Sequence, residues 1–173
     1  MLSDDELDLG MREADMALRL REPMQPDLIR RRLFTVHFHA YASTDYLKKS
    51  GQPRTIADLD QHRIVAFGAS TATHFLYDLN SLLTVGRDPK SPRVPHVAIN
   101  NVAAIIRAVE HGVGIAVLPD YCVLPNSGLV RLLPQVDMPE MDCFLVYAEE
   151  LKNVARIQAF RDFLVAKAQR WRY

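Results

Sequence analysis

The sequence predicts an α/β protein, and three observations in its second half lead to that fold class. The stretch NNVAAIIRAVEHGVGIAVLPD, residues 100–120, has the pattern of a helix that stops at a glycine and is followed by a short apolar strand. Residues 94–99 in front of it are extended in pattern, so strand, helix and strand follow one another with short joints, as in a βαβ unit. Residues 114–118 show no polar alternation, which is typical of a strand covered on both faces in a parallel sheet.

The first elements are predicted from a capping pattern and an alternation. Ser3-Asp4-Asp5-Glu6 has the S-x-x-E form of a capping box, which predicts a short helix to about residue 13. Met16, Leu18 and Leu20 alternate with other residues, which predicts a strand with these three side chains on one face.

Residues 28–99 are predicted to form short strands and short helices. The stretch LFTVHFHAY at 33–41 is long, aromatic and β-branched, as in a strand. Ser43 precedes a short helix with lysines near its end and a glycine at its stop, Gly51. The remaining elements predicted here are a second short helix at 56–60 and strands at 64–67, 74–77 and 82–85.

The central helix has its start, face and end defined by residue type. Asn100 or Asn101 is expected to cap it, because an Asn side chain accepts a backbone N–H of the first turn. One apolar stripe follows at helical spacing, formed by Val102, Ile105, Ile106 and Val109. Gly112 stands where a left-handed residue ends a helix.

The last third predicts a helical turn after Pro119, two strands and a final helix. The strands are expected at 129–133 and 143–148. Asn153 is expected to cap the final helix, and Trp171 to anchor its end. A broad apolar face is predicted for that helix from Val154, Ile157, Phe160, Phe163 and Leu164.

Charge and composition exclude several classes of function. Lys plus Arg equals Asp plus Glu at 21 each, so the net charge is zero, which argues against this chain holding DNA or an acidic membrane by itself. Two cysteines without a metal or redox spacing suit a reducing cytosol. With an acidic N-terminus unlike a signal peptide and no long apolar window, we expect a cytoplasmic chain that does not cross a membrane.

Motifs for catalysis, metals or cofactors are not found. The G-x-G at Gly112 and Gly114 follows a helix, whereas a dinucleotide-binding glycine loop precedes one. His37 and His39 share a strand face, but with no third ligand spaced nearby we expect packing or solvent exposure rather than a metal. Ser70 and Thr71 near His74 lack an orienting acid, so we expect no enzyme activity and no cofactor.

The order of these pieces resembles the effector-binding domain of LysR-type transcriptional regulators. The most similar motifs are D-x-A-L-R at 15–19, Y-L-x-x-x-G-x-P-x-T-x-x-D-L at 46–59 and G-x-G-I-A-x-L-P at 112–119. The supporting segments cover nearly the whole chain: LDLGMREADMALRL, RRLFTVHFHAYASTDYLKKSGQPRTIADLDQHRIVAFG, NNVAAIIRAVEHGVGIAVLPDYCV, GLVRLLPQV and FLVYAEELKNVARIQAFRDFL.

The resemblance implies a periplasmic-binding-protein-like (type II) fold, in which two α/β lobes are joined by two crossover strands. Residues 1–38 and 149–173 would form part of lobe one, and residues 39–148 lobe two. The outward crossover would be Phe34 to Tyr41, and the return crossover Phe144 to Ala148.

The resemblance also implies a small-molecule effector, expected to be anionic, bound between the lobes. Such ligands sit at strand carboxyl ends and helix N-termini in open α/β sheets. Arg19 is the best candidate for a carboxylate partner, the alternative being a surface charge. For Asn100 and Asn101 the alternative is simple helix capping. The residues that match the family's cleft are Leu18, Arg19, Leu20, Phe67, Gly68, Ser70, Asn100, Asn101, Val102, Leu118 and Pro119.

One departure concerns the start of the chain. Family members carry a winged helix-turn-helix, a linker helix and the first strand and helix of lobe one ahead of the point that matches Met1. We therefore expect lobe one to be incomplete, DNA to be bound only through a domain absent from this chain, and homo-oligomers to form through the uncovered region. A cut fragment and a truncated gene product both fit.

Two other functions are alternatives to the regulator. A solute-binding protein of the same fold serving transport is disfavoured because the chain has no signal peptide pattern and no structural disulfide pattern. A small α/β enzyme would need a catalytic site that the sequence does not offer.

Overall fold

The computed structural model describes residues 14–20, 22–68 and 79–171, which form two compact units. The first unit comprises 14–20, 22–36 and 140–171, and the second comprises 37–68 and 79–139. The chain passes from one unit to the other between residues 36 and 37 and again between residues 139 and 140. The lobe boundaries expected at 38/39 and 148/149 stay predictions. The predicted helix before residue 14 and the predicted strand at 74–77 lie outside the described residues.

The first unit is built on antiparallel strands and the final helix. Strand β1 (Met16–Arg19) pairs with β7 (Glu140–Ala148) in antiparallel register, Met16 facing Tyr147 and Arg19 facing Phe144. Strand β7 lies between β1 and β2 (Leu28–Ser43) in the sheet order. Helix α4 (Ala155–Ala168) covers this sheet through the buried Ile157, which packs with Leu145 and Tyr147.

The second unit contains two sheet segments joined at one point. Strand β2 continues here and pairs antiparallel with β5 (Ala116–Pro119) and with β6 (Leu129–Leu132). Strands β3 (Val65–Phe67) and β4 (Val97–Ile99) pair parallel to each other. A parallel bridge between Ile64 and Ile115 connects the two segments.

Three helices complete the second unit. Helix α1 (Thr44–Ser50) begins at the Ser43 side chain, which accepts the Tyr46 N–H, and ends at Gly51, so the predicted caps are confirmed. Helix α2 (Ser81–Thr84) is one turn long, and α3 (Val102–Glu110) connects β4 to β5. Gly112 has a φ of 74°, the left-handed conformation predicted for the residue that ends α3.

The predicted βαβ unit is confirmed in part. Strand β4, helix α3 and the segment from Ile115 follow one another, and both flanking strands run parallel to β3. Residues 114–119 are all buried, as the apolar pattern predicted. The expectation that residues 114–118 lie in a parallel sheet holds for Ile115, which bridges Ile64 in parallel, but Ala116–Pro119 pairs antiparallel with β2. An apolar run reports burial on both faces, which is typical of parallel sheets but also occurs in a buried strand with an antiparallel neighbour.

Two local predictions were wrong. Residues 82–85 were expected to be a strand, but Ser81–Thr84 forms helix α2, whose buried side chain is Leu82. The Asn153 side chain does not cap α4, whose N-cap residue is Val154. The predicted strand is confirmed as β1, in which Leu18 is 51% exposed and Arg19 is 9% exposed.

The apolar face of α4 is narrower than predicted. Ile157 is buried, but Phe160 and Phe163 are 50% and 54% exposed and stack with ring centroids 6.4 Å apart. Trp171 contacts Phe34 edge to face at 4.9 Å, so the predicted anchoring residue does meet a strand side chain. Spacing along a helix predicts a common face but not whether anything covers it.

A buried arginine holds the loop structure around α2. The Arg93 side chain is 5% exposed and its Nε lies 2.6 Å from Asp60. Its two terminal nitrogens donate to three backbone carbonyls, those of Leu82, Val85 and Ile56, at 2.7–3.0 Å. These bonds satisfy carbonyls at the end of α2 and tie it to the 3₁₀ turn Ala57–Gln61. The planar five-donor guanidinium is suited to this arrangement.

We expect Arg93→Met to lower the free energy of unfolding by about 2–3 kcal/mol, because buried carbonyls lose their donors. Urea unfolding followed by circular dichroism measures this. The matched control is Arg87→Met, since Arg87 also pairs with Asp60 but is 35% exposed, and it should cost much less. Equal losses for the two variants would contradict this account.

Candidate functional site

The carboxyl ends of β3 and β4 meet at one edge of the second unit. Phe67 is opposite Ile99 in the parallel register, and the Gly68 N–H donates to the Ile99 carbonyl at 2.9 Å. A Cβ added to Gly68 would lie 3.5 Å from the Asn100 nitrogen, so Gly68 backs closely onto that chain. The structure therefore brings together two predicted site segments, Phe67–Gly68 and the residues that follow Ile99.

Helix α3 begins at the same edge. The Asn101 side chain accepts the Ala104 N–H at 3.0 Å, and the Asn101 carbonyl accepts the Ile105 N–H. Asn101 is therefore the cap, which decides between the two candidates, and Asn100 is exposed. The N–H groups of Val102 and Ala103 precede the first bond of the helix ladder, and within the described ranges no hydrogen-bond acceptor meets them.

Leu118 and Pro119 lie at the end of β5 in the same unit. Both side chains are fully buried. Phe67, at the end of β3, is only 5% exposed. These three side chains pack in the core of the second unit.

The predicted residues on β1 belong to the other unit. Arg19 is buried at 9% exposure, so the alternative of a surface charge is wrong. Leu18 is exposed and Leu20 is half-buried. Ser70 lies outside the described residues.

Sequence reasoning missed a polar cluster around Asp120, directly after β5. The His39 Nδ1 lies 2.7 and 2.9 Å from the two carboxylate oxygens of Asp120, and the Tyr41 hydroxyl donates to one of them at 3.0 Å. Burial, followed by the hydrogen bond to Asp120, raises the pKa of Tyr41 to about 12. The alternation of His39 and Tyr41 on one strand face was visible in the sequence, but their partner is 81 and 79 residues away.

Within the described ranges, no group of three His, Cys, Asp or Glu side chains is placed to hold a metal ion. His39 is instead bound to Asp120. Among the same residues there is no helix long and apolar enough to span a membrane.

Comparison with known proteins identifies the family. The sequence profile described as the LysR substrate binding domain matches residues 3–169. The chain belongs to the LysR substrate binding domain family. Among curated relatives of this LysR domain, an HTH-type transcriptional regulator of Xanthomonas campestris is 31% identical over 172 residues. The HTH-type transcriptional activator TtdR of Escherichia coli is 28% identical over 173 residues.

Solved structures place the fold with LysR regulatory domains. The CrgA regulatory domain of Neisseria meningitidis superposes with a TM-score of 0.79 at 26% identity, covering 96% of this chain and 81% of that one. The CcmR regulatory domain of Synechocystis, solved in complex with 2-PG, has a TM-score of 0.70 at 16% identity, covering 94% and 77%. The predicted periplasmic-binding-protein-like fold is thereby confirmed.

These relatives decide between the functional classes. The LysR domain covers 96% and 97% of its length in the two curated matches but only 49% and 54% of those relatives, so it spans about half of them. Both relatives are named transcriptional regulators, which favours a regulatory domain over a transport protein or an enzyme.

The raised pKa of Tyr41 makes stability depend on pH at the alkaline end. The folded protein holds the tyrosine proton more tightly than the unfolded chain, whose tyrosine pKa is about 10. The contribution is therefore complete below pH 10 and is lost as the pH rises towards the folded pKa of about 12. The difference between the ultraviolet titration curves of the wild type and of Tyr41→Phe should show Tyr41 ionising at about pH 12.

Asp120→Asn is the partner variant for that titration. It removes the carboxylate but leaves the burial, so the pKa of Tyr41 should fall only part of the way towards its ordinary value. Ionisation of Tyr41 near pH 10 in the folded wild type would contradict the assignment.

Proposed function

We propose that this LysR domain binds a small organic anion at the carboxyl edge formed by β3, β4 and α3. The observation that carries the proposal is the start of α3, where two N–H groups lie outside the helix ladder beside Gly68 and the exposed Asn100. A helix N-terminus carries a partial positive charge, and its free N–H groups favour a carboxylate or phosphate. Asn100 adds a side chain that can both donate and accept.

Arg19 is the second proposed contact. Arg19 is the last residue of β1 and is 9% exposed, so its side chain is held in a defined place. A carboxylate matches the guanidinium in a bidentate geometry. The ground for assigning Arg19 to the effector is the resemblance of the D-x-A-L-R segment to the family's cleft edge, together with this burial.

The other assigned residues would shape the site. Phe67 and Gly68 would form the wall of the site at the end of β3, and Leu118 and Pro119 would do so at the end of β5. Asn101 and Val102 would supply the cap and a first-turn N–H. Leu18, Leu20 and Ser70 are retained as proposed contacts on the resemblance alone.

In the whole protein we propose that effector binding controls an attached helix-turn-helix domain that reads DNA. A ligand shifts such an equilibrium only by binding one conformation more tightly than another. The two named relatives are HTH-type regulators about twice as long as this chain, which supports a DNA-binding domain outside it. A cytoplasmic homo-oligomer, with lobes divided near residues 38 and 148, completes the proposal.

The test is a thermal-shift screen of mono-, di- and tricarboxylates and inorganic phosphate. A ligand at about a hundred times its Kd stabilises the folded state by about 2.7 kcal/mol. For a domain of this size that corresponds to a rise in Tm of about 5–10 °C.

Variants assign the response to the site. Arg19→Gln and Asn100→Ala should each reduce the shift measured relative to the variant's own Tm. The matched control is Arg156→Gln, since Arg156 lies in the same unit as Arg19 with its side chain 69% exposed, and it should respond like the wild type. An unchanged response in Arg19→Gln, or no shift with any anion, would overturn the anionic assignment.

A further inference from the structure

Strand β3 uses its two edges differently. Ile64 and Gly68 bond β4, since the Ile64 carbonyl accepts the His96 N–H and the Gly68 N–H donates to Ile99. Val65, on the opposite edge, donates to the Ile115 carbonyl at 2.8 Å. Residues two apart in a strand present their backbone to the same edge. The backbone groups of Phe67 therefore point to the same edge of β3 as those of Val65, the edge on which Ile115 bonds Val65.

At Phe67 the partner is a side chain. The Phe67 N–H donates to the Asn80 Oδ1 at 2.8 Å, and the Asn80 Nδ2 donates to the Phe67 carbonyl at 3.0 Å. An amide side chain carries one acceptor and one donor group, the same pair that a neighbouring strand residue offers. Asn80 thus takes the place of a strand at the last residue of β3.

The position of Asn80 is itself fixed by packing. Its neighbours Leu79 and Leu82 are 5% and 1% exposed. The turn that follows, α2, has its last carbonyls bound by the buried Arg93. The Asn80 amide that bonds Phe67 is therefore held in place by its buried neighbours and by the hydrogen bonds of Arg93.

We propose that Asn80 is a positioning residue of the effector site. Asn80 hydrogen-bonds both the N–H and the carbonyl of Phe67. It thereby fixes the position of Phe67 and Gly68 relative to Asn100, just before α3. The inference rests on the proposed function for the identity of the site, but the placement that it asserts can be measured without a ligand. Nothing in the motifs of the sequence marks this asparagine.

Gly68 is the link between Asn80 and the start of α3. Its N–H donates to the Ile99 carbonyl at 2.9 Å, and a Cβ built on Gly68 would lie 3.5 Å from backbone atoms of Ala98, Ile99 and Asn100. Because Gly68 follows Phe67 directly and is hydrogen-bonded to Ile99, a displacement of Phe67 should move Gly68 and, through that bond, Ile99 and Asn100. Loss of the Asn80 grip should therefore change the local environment of Asn100 and Asn101.

Asn80→Asp tests the two hydrogen bonds between Asn80 and Phe67 with almost no change in side-chain shape. At neutral pH the carboxylate still accepts the Phe67 N–H, but its second oxygen faces the Phe67 carbonyl and repels it. When the carboxyl is protonated it can donate to that carbonyl again. A positioning role therefore predicts a defect at neutral pH that is reversed as the pH falls towards about 4, near the ordinary pKa of aspartate.

The measurement is the backbone ¹H–¹⁵N spectrum of the protein at both pH values. We expect the amide signals of Phe67, Gly68, Asn100 and Asn101 to move in Asn80→Asp at neutral pH and to return towards wild-type positions at low pH. The matched control is Asn126→Asp, at an exposed turn of the same unit, which should leave those signals in place. Changes confined to residues 79–81, or equal at both pH values, would overturn the proposal.

Binding is measured in the same samples by titration with succinate and with inorganic phosphate. For an anion that binds the wild type, the affinity of Asn80→Asp should fall about tenfold at neutral pH, the order of one hydrogen bond, with recovery relative to wild type at low pH. Undiminished affinity would overturn the positioning role. If neither anion binds the wild type, the anionic effector loses support while the amide signals still decide the role of Asn80.

Asn80→Ala serves as the second variant. It removes both bonds without adding charge, so the Phe67 amide should lose protection from hydrogen exchange at both pH values. This variant decides the question if Asn80→Asp does not fold at neutral pH. Retained protection of the Phe67 amide would show that the Asn80 hydrogen bonds are not needed to hold Phe67 in place, and would overturn the proposal.

Discussion

The contact on which the second unit depends is the parallel bridge between Ile64 and Ile115. It is the point where the β3–β4 pair joins the sheet of β2, β5 and β6, and Ile115 is fully buried. Gly114, the residue before it, lies so close to the Arg63 carbonyl that a Cβ would collide with that oxygen. The approach of these chains therefore requires glycine, and β5 follows directly from it. The β3–β4 pair, which carries Phe67 and Gly68 and leads into α3, is connected to the larger sheet through this bridge.

Backbone groups near the joint are satisfied by side chains rather than by further strands. The Asn80 side chain hydrogen-bonds the N–H and the carbonyl of Phe67, and the Arg93 side chain donates to three backbone carbonyls around α2. Buried N–H and C=O groups are costly when left without partners, so each of these residues stabilises a place where regular structure ends. Ligand sites in α/β proteins occur at such places, because the ends of strands leave backbone available.

The cluster around Asp120 follows the same rule with charged and polar groups. Its carboxylate is reached by His39 and Tyr41 from the neighbouring strand, which fixes the chain where β5 ends. The Asp120 side chain is 18% exposed, and a carboxylate partly removed from water is stabilised when its oxygens are hydrogen-bonded. The strand end that the resemblance assigned to the effector is thus held on its own side by a second polar network, independent of Asn80.

The sequence by itself determined the elements whose signals are local. The caps of α1, the start and stop of α3, the burial of 114–118 and the membership in a family of regulatory domains all followed from residue types and their order. Only the tertiary structure decided strand direction for β5, the helix at Ser81–Thr84, the burial of Arg19 in place of Leu18, and the partners of Asn80, Arg93 and Asp120. Local patterns depend on neighbours within a few residues, whereas these features depend on which distant chain supplies the missing hydrogen bond or the covering surface, and no short stretch of sequence contains that information.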